Sequence, residues 1–298
     1  MMVRGLHTCV ALLVAGTLGC NESLGLAGEA TQKGEDASMD AAPAPVEDGG
    51  IWDASSDATL DTLVETDALT PPDASEPCPV GMVNIGAYCI DRYEAYVVEV
   101  DDAGVEHPHS PYDVIAGQSV RAKVASGVAP QAYISQIEAS KACEAAGKRL
   151  CTKDEFQRAC RGDDAGAYYP YGGTVRKVGM CNEGKGSSMP RFFGSDAMLW
   201  TYAQFNDPRL NQWDGGLGKT GEYSRCVSPY GVYDCVGNLH EWGADPADTT
   251  GRGRFRGGFY GDAQLNGPGC LYVTSAHELA YHDYSTGFRC CASARPLP

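Results

Sequence analysis

The 298-residue sequence contains no CxxC pair, no HExxH or HxxxH spacing, and few basic residues: 23 lysines and arginines face 39 aspartates and glutamates. Without CxxC, zinc clusters of the cytosolic kind are a weak reading of the 13 cysteines. Without HxxxH, His107, His109, His277 and His282 read as exposed loop residues and not as a transition-metal site. A formal charge of −16 argues against nucleic acid as a partner. No period of 20 to 50 residues recurs, which excludes solenoids and propellers. The one early apolar run, Val10 to Leu18, is too short to span a bilayer and follows Arg4, the pattern of an export signal.

The acidity is concentrated. Residues 21–77 hold fourteen carboxylates against the single Lys33, a net of −13, in a stretch rich in Ala, Ser, Thr and Pro. Such a segment buries too little apolar surface to offset its ordering entropy, so residues 20–77 read as a disordered, self-repelling tether. The chain then divides into a signal at 1–19, the tether, and one domain at 78–298 with enough length for its own core.

Within the domain, two helices carry start and stop signals. SQIEASKACEAAG has Ser135 and Glu138 as a capping box and Gly147 as its stop, with Ile137, Ala142 and Cys143 expected to face inward. TKDEFQRACRG has Thr152 and Glu155 as a second box, ends at Gly162, and places Phe156 and Cys160 on one face. MVNIGAYCIDRYEAYVVEV is the clearest strand material, broken at Gly86. Loops dominate from Gly162 to Pro229 and need cross-links, ions or ligands to stay ordered. Eleven cysteines fall in this domain, an odd number that leaves one thiol over in an oxidising compartment.

TLGC, ending at Cys20, resembles the lipobox of bacterial lipoproteins, in which the cysteine is lipidated, although Thr17 stands where Leu is usual. An ordinary cleaved signal is the alternative. The lipobox reading implies a lipid anchor on Cys20 and a place at a bacterial cell envelope or outer membrane. Across residues 78–295, CPVGMVNIGAYCIDRYEA, AGKRLCTKDEFQRACRG, YPYGG, GVYDCVGNLHEW, RFRGGF and GFRCCA resemble, in order, the sulfatase-modifying factors, that is, the formylglycine-generating enzymes and their relatives. The resemblance implies an α+β fold, an elaborated C-type-lectin-like domain with little regular structure.

Active members of that family are implied to hold copper on two cysteines that follow RGG and a serine, and to oxidise a sulfatase cysteine with oxygen. Here the serine position is Phe259 and the first cysteine position is Asp262. A hard carboxylate is no substitute for a soft thiolate on copper(I). The resemblance also implies disulfides joining Cys143 to Cys290 and Cys160 to Cys270, with Cys270 as a second copper cysteine the alternative. Spacing adds Cys78 with Cys89 and Cys181 with Cys226, and leaves Cys151 open between Cys291 and Cys235.

GVYDCVGNLHEW resembles the family's calcium loop, which implies ligands from the side chains of Asp234 and Glu241 and the carbonyls of Gly237 and Leu239, with His240 in place of the usual Trp. A second site in some relatives implies Asn182, Glu183, Asp214 and Gly216. Three functions remain in view. The first is a non-catalytic, calcium-stabilised lipoprotein that binds a protein or small-molecule ligand through loops carrying Trp200, Tyr202, Trp213, Tyr260, Tyr281 and Tyr284. The second is a copper oxidase using Cys270 and a leftover thiol, and the third is a purely structural envelope module.

Overall fold

The structure, a computed structural model, describes residues 76–246, 248–275 and 277–296. The signal and nearly all of the tether, with Cys9 and Cys20, lie outside the described residues. Strand β1 (Met82–Asn84) turns at Gly86 into β2 (Tyr88–Asp91), and β3 (Tyr96–Val100) pairs with both β4 (Glu106–Pro108) and β5 (Val120–Lys123). Helix α1 (Gln136–Ala145), the short β6 (Arg149–Leu150) and helix α2 (Lys153–Arg161) follow. The irregular stretch after them contains the short helices α3 (Met189–Phe193) and α4 (Tyr202–Phe205). Strands β7 (His240–Trp242), β8 (Phe255–Arg256), β9 (Val273–Thr274), β10 (Thr286–Gly287) and β11 (Cys290–Ser293) complete the chain. Among the described residues, no helix is long and apolar enough to cross a membrane.

Three small sheets result, ordered β1-β2-β11-β6, β10-β7-β8-β9 and β4-β3-β5. With so little regular structure, this is the α+β architecture expected from the sequence. Both capping boxes form. Ser135 N–H donates to Glu138 Oε2 at 2.9 Å, Thr152 N–H donates to Glu155 Oε2 at 2.9 Å, and each hydroxyl accepts in return from the third backbone amide of its helix. Gly162 ends α2 at φ +75°, where a Cβ would meet the Pro229 ring at 2.9 Å. One expectation is corrected: Ile137 is exposed. The inward stripe of α1 is Ala139, Ala142 and Cys143, and at 100° per residue Ile137 lies about 140° around the helix from Ala142.

Alternation along β11 sends its two adjacent cysteines in opposite directions. Cys290 pairs with Cys143 in α1, in the core built from Val97, Ile134, Leu150, Trp242, Phe255 and Phe288. Cys291 pairs with Cys151, just before α2, in the core of Ile85, Ile90, Phe156 and Val236. One strand thereby locks both helices. Cys78–Cys89, Cys160–Cys270 and Cys181–Cys226 complete the set, so Cys151 takes the first of its two open partners and Cys235 is the free, buried thiol. A third, aromatic core joins Tyr133, Leu210, Leu239, Tyr260 and Tyr284.

Candidate functional site

Residues 232–239 form a tightly held loop that leads into β7. Asp234, Gly237 and Asn238 all adopt left-handed backbone, at φ +59°, +79° and +57°. At Gly237 only glycine fits, because a Cβ would come 2.1 Å from the Asn182 carbonyl oxygen. Asn238 N–H donates to that same oxygen at 2.8 Å. The Asn238 side chain is satisfied on all sides: Oδ1 accepts from Asn182 Nδ2 and Gly218 N–H, and Nδ2 donates to Glu94 Oε2 at 2.5 Å and to the Gly218 carbonyl.

Beneath this loop three carboxylates share one guanidinium. Glu94 Oε1 accepts from Leu239 N–H at 3.0 Å, Asp234 Oδ2 accepts from Gly221 N–H at 2.7 Å, and Glu241 is held by Arg289. All four side chains are buried. Burial raises the Glu94 carboxyl well above its ordinary range, with Asp234 and Glu241 adding repulsion. It lifts Asp234 to about 7, and raises Glu241 against the pull of Arg289. Close by, burial pushes the Cys235 thiol up to about 12. His240 is held down at about 3, for the same reason, among Phe255, Phe259 and Tyr272.

The two ligand sets read from the sequence are therefore neighbours. Asn182 touches the Asp234–Glu241 loop through Asn238, and its Nδ2 also donates to the Gly216 carbonyl at 3.0 Å. Asn182 Oδ1 is buried and has no hydrogen-bond partner. Glu183 gives one oxygen to Arg176 and keeps the other buried and unpaired, while Asp214 is exposed. Among the described residues, no three His, Cys, Asp or Glu side chains converge as metal ligands. A cation here would thus depend on carbonyl and amide oxygens alongside the acids. Hard oxygen donors, clustered buried carboxyl groups and an orphaned amide oxygen fit calcium in kind. Sequence reasoning missed Glu94, Asn238 and Arg289; the signal available was a charge set inside apolar runs, in DRYEA and in GFRCC.

The loop after RGG is closed upon itself. Gly257 and Gly258 pack so tightly that a Cβ would stand 2.6 Å from the Cys235 carbonyl oxygen and 2.5 Å from Ala263 Cα. Phe259 and Asp262 exchange backbone hydrogen bonds at 2.9 and 3.0 Å, and Asp262 Oδ1 caps Gln264 N–H at 3.0 Å. The Phe259 ring lies against His240, Tyr260 and Tyr284. Cys270 is bonded to Cys160 at the end of α2, so the reading of Cys270 as a copper thiolate is corrected: its sulfur is spent on a cross-link.

Tyr260 and Tyr284 are core residues, as packing favours for any single one of these aromatics over a ligand-facing role, while Trp200, Trp213 and Tyr281 are half-buried and Tyr202 is half exposed. One further expectation changes. His109 is not an exposed loop histidine: its side chain is 5% exposed and bonds Glu99 at 2.8 Å. His277 and His282 are half-buried, the former stacked on Tyr281 and the latter bonded to Asn206.

Residues 59–294 match the family described as the sulfatase-modifying factor enzyme 1-like domain. Mouse (Mus musculus) formylglycine-generating enzyme is 26% identical over 216 residues, which cover 66% of this chain and 51% of that protein. Mouse "Inactive C-alpha-formylglycine-generating enzyme 2" is 25% identical over 170 residues, covering 55% of this chain and 49% of that protein. The chain spans about half the length of the curated relatives it matches. Among solved structures, PvdO from Pseudomonas aeruginosa aligns with a TM-score of 0.43 at 15% identity, over 69% of this chain and 80% of that one. The Major Tropism Determinant M1 variant aligns at 0.42 and 15% identity, over 75% and 55%. With a family match running through most of its length, the chain belongs to the sulfatase-modifying factors.

Proposed function

We propose that this chain is a calcium-stabilised, non-oxidising member of its family that binds a ligand or partner, exported and held at a bacterial envelope by a lipid on Cys20. The observation that carries the non-oxidising part is the fate of the loop after RGG. Phe259 and Asp262 occupy the positions of the serine and first copper cysteine and bond to each other, while Cys270 is bridged to Cys160. An oxidase needs two reduced, adjacent thiols. Cys235, the free cysteine, is buried with its thiol held protonated.

Calcium is supported by the buried carboxyl groups of Glu94 and Asp234, whose ionisation burial opposes and a cation would favour, and by the unpaired Asn182 Oδ1, while both Glu241 oxygens accept from Arg289. When bound, the cation would supply positive charge beyond that of Arg289. Glu94 and Asn238 hold the loop's backbone in place for it. Five disulfides accord with an oxidising compartment.

The deciding experiment incubates the chain with copper(I), oxygen and a cysteine peptide from a sulfatase, and follows the peptide by mass spectrometry. No formylglycine is expected, and its formation overturns the reading. In parallel, calcium is expected to raise the melting temperature. A melting curve indifferent to chelator and calcium alike removes the metal from the proposal.

A further inference from the structure

A groove of about 460 Å³ lies between the start of α2 and the strands β8 and β9. Its walls are basic in a chain of formal charge −16: Lys153, Arg254 and Arg256 face a single acid, Asp245. Arg256 is built into the fold, its side chain 3% exposed. Nη2 donates to Asp245 Oδ2 at 2.5 Å, while Nε is buried without a hydrogen-bond partner. That Nε is sealed from the groove, so Arg256 contributes positive charge to the wall and not a free donor, and direct contact with an acceptor falls to the more accessible Arg254 and Lys153.

Those two cations are free to meet that acceptor. Arg254 is half-buried and, among the described residues, donates only to the Pro246 carbonyl, at 3.3 Å. Lys153 is exposed and occupies the first position of α2, where the helix dipole disfavours a cation. Helix stability therefore does not explain the lysine, whereas an anion held beside it does. Gly243 keeps the corner open, since a Cβ there would come 2.7 Å from Asp245 Oδ2 and 3.4 Å from Arg256 Nε. Leu271 and the partly exposed Val273 supply apolar surface on the remaining side.

We propose that this groove binds an organic oxyanion, a carboxylate or phosphate ester carried on an apolar body. Arginine's fixed fork of donors matches both head groups, and Lys153 adds a point charge. The inference deepens the binding role proposed above and rests on it, giving that role a place and a ligand chemistry. It is separate from the buried acid cluster and flanks the loop after RGG through Arg256 and Leu271.

The test titrates the full chain by calorimetry with phenyl phosphate, benzoate and inorganic phosphate, at low and at physiological salt. The expected result is saturable one-site binding of phenyl phosphate or benzoate with a Kd of about 1 mM or tighter, weakened by salt. Whichever of the two binds tighter identifies the head group. The double variant Lys153→Gln/Arg254→Gln, whose altered groups reach solvent, should fold as the parent does and bind roughly tenfold more weakly. Arg254→Gln alone, assayed beside it, keeps the test valid if the double variant misfolds. No binding of any probe, or equal binding by variants and parent, overturns the proposal. Inorganic phosphate binding as tightly as phenyl phosphate overturns the role of Leu271 and Val273. Failure here with no formylglycine formed leaves the non-oxidising reading intact, whereas formylglycine sinks that reading whatever the groove binds.

Discussion

Arg289 grips Glu241 with two parallel hydrogen bonds, Nε to Oε2 at 2.5 Å and Nη2 to Oε1 at 2.7 Å, with both side chains at most 2% exposed. A third bond runs from Nη2 to the Tyr233 carbonyl at 2.9 Å and ties the guanidinium to the loop it supports. Arg289→Met keeps most of the volume but leaves Glu94, Asp234 and Glu241 without a counter-charge. We expect a loss of about 3–5 kcal/mol in chemical denaturation. A loss below 1 kcal/mol, on the order of a surface ion pair, would show that the cluster is not held by this arginine.

Calcium affinity should fall with acid. Asp234 carries a folded-state pKa near 7, lifted by burial, so below that pH a proton competes for the carboxylate a cation would use. The sign is fixed: protonation rises as pH falls, and the apparent Kd for calcium rises by up to about tenfold per pH unit below 7. Calorimetry at pH 5.5, 6.5 and 7.5 checks this, and a pH-independent Kd contradicts it.

His240 should stay neutral across that whole range. Its folded pKa, near 3, lies below the ordinary 6.5, so the unfolded chain takes up this proton first. The histidine therefore adds stability that is present above about pH 6.5 and is lost as pH falls toward 3. Proton NMR should find one imidazole that does not titrate between pH 5 and 8. Titration of every ring in that window counts against the buried stack on Phe255 and Phe259.

Within residues 76–296 a native thiol titration should be silent, and unfolding should release one equivalent, Cys235. Burial rather than a partner protects it. Alkylation of a second cysteine without reductant contradicts the Cys160–Cys270 bridge.

Cys143→Ala/Cys290→Ala opens a loop of 147 residues. Chain entropy places the loss at roughly 3–5 kcal/mol, read from denaturant midpoints against the parent. A change within error means that packing around Phe288 and Trp242 holds α1 unaided.

How far the molecule could be read beforehand depended on range in sequence. Ser135 with Glu138 and Thr152 with Glu155 are local, and a capping box needs only four residues to declare itself. Ile137 was misread because its exposure depends on which face of α1 meets Phe288, a contact 151 residues away in the chain. Glu94 is likewise 145 residues from Leu239 and Arg289 is 48 from Glu241, and nothing around them in sequence names their partners. Asp234 and Glu241 stood out through resemblance, while the anchors beneath them emerged only in three dimensions. Tyr260 and Tyr284 could not be assigned to surface or core, since an aromatic side chain between loops looks alike in both.

The double staple on β11 sets a timetable for the domain. Cys290 and Cys291 reach back 147 and 140 residues, and their strand fills the place between β2 and β6 in the first sheet. Helix α1, and the start of α2, cannot be fastened until the chain has emerged past residue 291; the far end of α2 can close earlier, through Cys160–Cys270. Oxidation of Cys290 and Cys291 therefore works as a seal that closes only once β11 is in place. A chain stopped before Cys290 would have α2 fastened only at its Cys160 end, α1 unfastened, and Cys143 and Cys151 left without partners.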